Sequence, residues 1–174
     1  HTSRPVRILA NDAFPPVVAF WQACKTQCDA LCEVLDKLCT RGVSKEQFKW
    51  HRADVRRRLD EDTCGVASDA AVPMPTDNDL ALAVHFFVLN RCSFSGATLA
   101  GGYSKEASTK RFTPSTEQRV RNLDLSHVSF TCLDFRTFWT EHVIPHLHGD
   151  KGTCTTLTYA KKNVSPVRYP GGKT

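Results

Sequence analysis

The chain has 174 residues, 41% of them hydrophobic, which is enough for one domain with a real core and excludes a chain too polar to fold. Lys and Arg outnumber Asp and Glu by 23 to 18, and the resulting charge of +5 permits an anionic partner without requiring one. The longest apolar run, around residues 84–89, is interrupted at His85 and is too short to span a membrane, so no membrane partner is expected.

Taken in chain order, residues 5–10 ("PVRILA") predict a short buried strand that ends in Asn11-Asp12. Pro15 and Pro16 suit the first turn of a helix, which the apolar spacing carries to about Leu38. Gly42 breaks the pattern. Ser44 with Gln47 forms a capping-box signature for a basic helix running to about Leu59. Residues 60–77 lack periodicity and predict a loop, with Asp77 or Asn78 capping a helix over 80–91 that is apolar enough to be buried on most sides. Residues 92–114 are rich in glycine and hydroxyl side chains and predict a long loop of functional character. Ser115 and Gln118 open another short helix. The alternation of Val128, Phe130 and Cys132 against Ser129 and Thr131 predicts a strand within 127–135, again ending on an acid, Asp134, followed by Phe135. A further helix is expected to start around Phe138-Trp139, with a Gly/Thr-rich stretch beyond it.

Cys24, Cys28 and Cys32 fall four apart and share a helix face with apolar neighbours, as small buried thiols do. No Cys-x-x-Cys occurs, so neither zinc nor an iron–sulfur cluster is expected from the eight cysteines, and free thiols imply a reducing compartment. His142, His146 and His148 form one short cluster without a second ligand group, and no metal is assigned to them. The basic runs at 49–58 and through Lys105, Lys110, Arg111, Arg119 and Arg121 read first as solvated helix faces.

Both predicted strands end in a carboxylate. In open α/β sheets the ligand sits beyond the carboxyl ends of the strands, where an acid accepts hydrogen bonds from ribose hydroxyls or an adenine amino group. The last residues, "SPVRYPGGKT", resemble the end of a nucleotide-triphosphate loop, but the first glycine of that motif would fall at Val167. The triphosphate reading therefore fails, leaving a Tyr-Pro turn and two glycines presenting Lys173. The segment "FFVLNRCSFSG" (86–96), with "GGYS" and "RFTPSTEQRV" after it, places an Asn-Arg pair and an aromatic, serine and glycine turn where nucleic-acid contact is expected.

Together with "NDAFPPVVAFW" (11–21), "TCLDF" (131–135) and "SPVRYPGGK", these pieces resemble the D12 class of adenine-specific DNA methyltransferases, which includes the Dam family. The resemblance covers residues 5–38, 80–135 and 164–174. It implies an α/β chain with a partial Rossmann-like fold, binding S-adenosylmethionine and double-stranded DNA. The cofactor region would be 1–39 and 125–140, the helical DNA-recognition insertion 40–124, and a variable segment 141–174 would carry the glycine loop. By resemblance Asp12 takes the ribose hydroxyls, Asp134 and Phe135 sit by the cofactor adenine, and Tyr169, Gly171, Gly172 and Lys173 surround its methionine end. Asn90, Arg91, Ser95, Lys110 and Arg111 face DNA.

Two departures qualify the expected activity. The Gly-Gly-Lys loop comes last rather than first, with no Phe-x-Gly-x-Gly turn, and no Asp-Pro-Pro-Tyr tetrapeptide follows Asp134. That tetrapeptide would accept hydrogen bonds from the target amino group and stack on the flipped base. The chain is therefore expected to be a fragment, a permutation or a misjoined form that does not methylate DNA efficiently by itself. A non-catalytic DNA-binding module derived from such an enzyme is the alternative, and an unrelated α/β interaction domain the third. With no basic-then-apolar leader, the protein is expected inside the cell rather than secreted.

Overall fold

Two short strands lie side by side although almost the whole described chain separates them. The structure is a computed structural model that describes residues 7–64 and 79–145. Strand β1 (Ile8–Asn11) pairs in parallel with β2 (Val128–Thr131), in the register Ile8 to Val128 through Asn11 to Thr131. Between them run α1 (Pro15–Thr26), α2 (Cys28–Arg41), α3 (Lys45–Cys64), α4 (Leu80–Cys92), α5 (Lys105–Lys110) and α6 (Pro114–Arg121). A four-residue helix α7 (Phe135–Phe138) follows β2. The described fold is mixed α/β and mostly helical, with a small two-stranded parallel sheet.

Local sequence explains most boundaries. Asp12 Oδ1 accepts the Phe14 N–H at 2.8 Å, closing the turn out of β1. Phe14 is extended because Pro15 follows it, and the two prolines then occupy the first helical positions of α1. At α3 the expected capping box is formed in both directions. Gln47 N–H donates to Ser44 Oγ at 3.1 Å, and the Ser44 N–H donates to Gln47 Oε1 at 2.8 Å. Helix α4 is buried along nearly its whole circumference, through Leu82, Ala83, Val84, His85, Phe87, Val88, Leu89 and Cys92.

Several expectations are corrected. The single helix expected from Pro15 to Leu38 is two, interrupted at Gln27 (φ −135°). A straight helix keeps its apolar stripe on one side, whereas here α1 packs on α4 and α2 packs on α6, so the stripe must change direction. Helix α3 runs past Leu59 into the expected loop as far as Cys64, and residues 65–78 lie outside the described set. Asp79 precedes α4 without capping it. The expected loop 92–114 contains a turn of 3-10 helix (Phe94–Gly96) and α5, whose first turn is capped by Ser104 Oγ accepting the Ala107 N–H at 3.1 Å. Helix α6 begins at Pro114, one residue before Ser115, and Thr113 precedes it without a side-chain cap. The second strand stops at Thr131, three residues before Asp134.

The helices of the 40–124 stretch share one core with α1 and α2. Phe20 stacks on Phe87 at 5.4 Å between ring centres, Phe87 meets Phe112 at 5.7 Å, and Leu31, Leu35, Phe48, Val55 and Val88 are fully buried around them. Cys24 and Cys32 belong to this core and Cys28 lies at its edge, with Cys28 Sγ 3.9 Å from Cys32 Sγ. Burial pushes the Cys24 and Cys32 thiols up to about 12, so both are protonated at neutral pH. The described residues up to Phe138 form one unit; a second begins at Trp139, of which a turn of π-helix (Trp139–Val143) is described. No helix among the described residues is long and apolar enough to cross a membrane.

Candidate functional site

The strand ends come together through Asn11, which the sequence marks only as part of a turn. Asn11 Nδ2 donates to the Leu133 carbonyl at 2.9 Å, while its Oδ1 accepts from Thr131 Oγ1 at 2.9 Å and from the Leu133 N–H at 3.0 Å. One amide thus ties the carboxyl end of β1 to the chain leaving β2. Asp12 follows directly, at the rim of a cleft of about 260 Å³ between the sheet and α1, lined by Ala10, Asn11, Val17, Trp21, Val128 and Phe130 among others. Trp21 and Phe130 are parallel at 6.4 Å across it.

Asp134 does something other than face this cleft. Its Oδ1 accepts the backbone N–H groups of Arg136 (2.8 Å) and Thr137 (3.2 Å), and its Oδ2 accepts the Thr137 hydroxyl. The Thr137 hydroxyl first, and then these backbone donors, hold the Asp134 carboxyl below the usual carboxylate range. It is the cap of α7, and the neighbouring Phe135 ring is 58% exposed. Of the four residues expected at the methionine end of a cofactor, Tyr169, Gly171, Gly172 and Lys173, all lie outside the described residues, as do His146 and His148.

The second expected cluster is brought together at the end of α4. The loop after this helix is closed at its neck by the Phe94 N–H donating to the Gly102 carbonyl at 2.9 Å and the Ser104 N–H donating to the Cys92 carbonyl at 2.8 Å. Inside it the backbone turns through the left-handed region at Ser95 (φ 54°), Gly96 (φ 70°) and Thr98 (φ 47°). Asn90 Nδ2 donates to the Gly96 carbonyl at 3.3 Å, and Arg111 donates to the Ser93 carbonyl. A Cβ at Gly96 would sit 3.6 Å from both Asn90 Nδ2 and Arg111 Nη1, so these groups meet at that glycine. Arg91 lies over the Phe87 ring at 5.4 Å, and its buried Nε has no hydrogen-bond partner among the described residues. Burial, then Arg111 and Arg119, push the Arg91 guanidinium down from its ordinary value. Lys110 is the exception in the expected set, since its Nζ is held by Glu106 at 2.7 Å out in solvent.

The fold exposes the aromatic of this turn and brings two further arginines to it. Phe94 stands 72% exposed beside Ser95. From α3, Arg52 Nη1 donates to the Gly101 carbonyl at 3.2 Å and Arg56 Nη2 to the Leu99 carbonyl at 3.3 Å. Guanidinium groups therefore hold this loop from two sides. Phe94 is the aromatic that the sequence places in this turn, though its exposure carries no sequence signal, and the α3 arginines are visible in the sequence only as members of a basic run. No model of a known protein family matches the chain, and no curated protein does.

Proposed function

We propose that this chain is a DNA-binding domain of the adenine-methyltransferase type, contacting double-stranded DNA through the loop that follows α4. The observation that carries the reading is a cluster of cations without counter-charge: Arg111 and Arg119 stand close enough to act on Arg91, yet none of the three has an ion-pair partner among the described residues. Beside them Phe94 is an exposed aromatic on a loop fixed by its own hydrogen bonds. Uncompensated guanidinium groups suit phosphate oxygens, and a solvent-facing ring suits an unstacked base. Phosphate contacts would set position on the duplex, and the Asn90 and Ser95 region would supply whatever base contact is made.

A second site in the same reading is the cleft below Asn11 and Asp12, for S-adenosylmethionine. It is favoured by the parallel pairing of β1 and β2, which puts both carboxyl ends at one edge, as in the pair of strands at the centre of a Rossmann-like sheet. Its apolar walls suit an adenosine moiety, with Asp12 as the rim acceptor for ribose hydroxyls. At about 260 Å³ it is smaller than the ~300–1,000 Å³ of ordinary ligand pockets and takes part of such a cofactor only. Bound cofactor would supply an electrophilic methyl group. The target amino group would need a nearby acceptor, and Asp134 is already occupied as a helix cap. With no Asp-Pro-Pro-Tyr in the sequence, DNA binding rather than methyl transfer is the activity expected of this chain.

Fluorescence anisotropy with a mixed-sequence duplex, taken across a salt series, tests the principal reading. Salt-dependent binding that weakens in Arg91→Gln and Arg111→Gln is the expected result; a folded chain without it overturns the reading. Calorimetric titration with S-adenosylmethionine, repeated on Asp12→Ala, tests the cofactor site separately.

A further inference from the structure

The basic run on α3 separates into two groups when its partners are followed. Arg57 is bound to Asp54 at 2.7 Å and to Glu61 at 2.8 Å, while Arg58 is bound to Asp54 at 2.7 Å and reaches Asp79 at 3.5 Å. These two cations are neutralised within the fold. Lys45, Lys49, Arg52 and Arg56 have no ion-pair partner among the described residues. Their spacing of i, i+4, i+7 and i+11 puts them in one row along the helix. Phe48, His51 and Val55, at neighbouring positions, are buried and fix which way the helix is turned. The row therefore runs along the edge of the buried stripe, with Lys45, Lys49 and Arg56 exposed.

Where this row leads is set by hydrogen bonds. Arg52 and Arg56 reach Gly101 and Leu99, in the loop that carries Phe94. Each guanidinium has five N–H donors, so one bond to a loop carbonyl leaves donors free for an anion. The row and the loop are thus one continuous cationic surface. From Lys45 to Arg56 it spans about 16 Å at the rise of an α-helix, longer than the ~12 Å width of a major groove.

We propose that α3 is a second DNA-contact element, whose Lys45, Lys49, Arg52 and Arg56 lie along the phosphate backbone of a duplex held at the Phe94 loop. The inference rests on the DNA-binding reading and deepens it, adding a helix that carries none of the expected contact residues. Charge complementarity selects the occupant: Asp54 and Glu61 lie on the opposite face, Glu46 and Asp60 flank the row without an ion pair to any of its four cations, and those aligned cations match a regularly spaced polyanion.

The test is the salt dependence of binding to a mixed-sequence DNA duplex of about 20 base pairs, for the full chain and for Lys45→Gln/Lys49→Gln. Both lysines are exposed, so the double variant keeps its fold, which circular dichroism checks. Arg52 and Arg56 are left in place because they also anchor the loop. Two lost phosphate contacts lower the slope of log affinity against log salt by about 1.8. Lys37→Gln on α2, an exposed lysine held by Glu33, leaves the slope unchanged. Wild-type binding with an unaltered slope in the double variant overturns the role of α3 and leaves the loop reading standing. An equal fall in Lys37→Gln overturns it too, as diffuse attraction. Equal binding of duplex RNA overturns DNA as the partner. Absence of salt-dependent binding by the wild type removes both readings together.

Discussion

The buried pair His51 and His85 makes stability depend on pH as it falls from neutral toward 4. The two Nδ1 atoms are 2.6 Å apart between α3 and α4, and His85 Nε2 lies 3.0 Å from Asp54 Oδ2. Asp54 accepts, so His85 carries its proton on Nε2 and offers an Nδ1 lone pair to the His51 Nδ1–H. A second proton on His85 would set two N–H groups against each other. Burial first, then His85, push His51 down from its ordinary 6.5 to about 4, with Asp54 opposing. Burial also pushes His85 down, against the pull of Asp54. Because the unfolded chain binds this proton more tightly, stability is full above pH 6.5 and is lost as pH falls toward 4. For His51 alone the loss between pH ~7.5 and ~4.5 is about 2.5 kcal/mol. Asp54, lowered to about 2 mainly by its hydrogen bond from Arg57, contributes a loss only below its ordinary 3.8, so the two effects are separable. Urea unfolding at a series of pH values is the assay; with a slope of about 2 kcal/mol per molar, the midpoint falls by about 1 M across this range. His51→Gln keeps a donor toward His85 but cannot titrate, and it flattens the profile. A wild-type midpoint that does not move between those pH values refutes the assigned protonation states.

Three further outcomes follow from the geometry. Asn11→Ala removes the amide joining the strand ends and leaves the Leu133 carbonyl and N–H without it, costing about 2–3 kcal/mol in urea unfolding; a change below ~0.5 kcal/mol would show that the sheet does not need this link. Phe94→Ala leaves the unfolding midpoint unchanged, since the ring is 72% exposed, but lowers affinity for DNA by the ~1–3 kcal/mol of one base–aromatic stack, read by anisotropy. Ser44→Ala opens the capping box and costs about 1 kcal/mol, with equal affinity for DNA after correction for the folded fraction.

What the sequence by itself determined is what neighbouring residues settle among themselves. The Ser44–Gln47 cap, the prolines opening α1, the all-round burial of α4 and the acids following each strand depend on patterns a few residues long. The candidate DNA-contact residues were legible in the same way, because Asn90, Arg91, Ser95 and Arg111 flank one turn that a helix end and a glycine define. Only the tertiary structure decided which groups are already satisfied and which are left to act. Asp134 reads as a ligand acid until the backbone of α7 is seen to occupy it. The basic run on α3 reads as one patch until Asp54, Glu61 and Asp79 are seen to neutralise Arg57 and Arg58, while Arg52 and Arg56 turn to carbonyls more than forty residues away. The change of direction at Gln27 carries no local signal, since it arises from packing consecutive helices on different partners. Charge and hydrogen-bonding capacity are written residue by residue, but whether they remain free is fixed by distant segments that the core brings together.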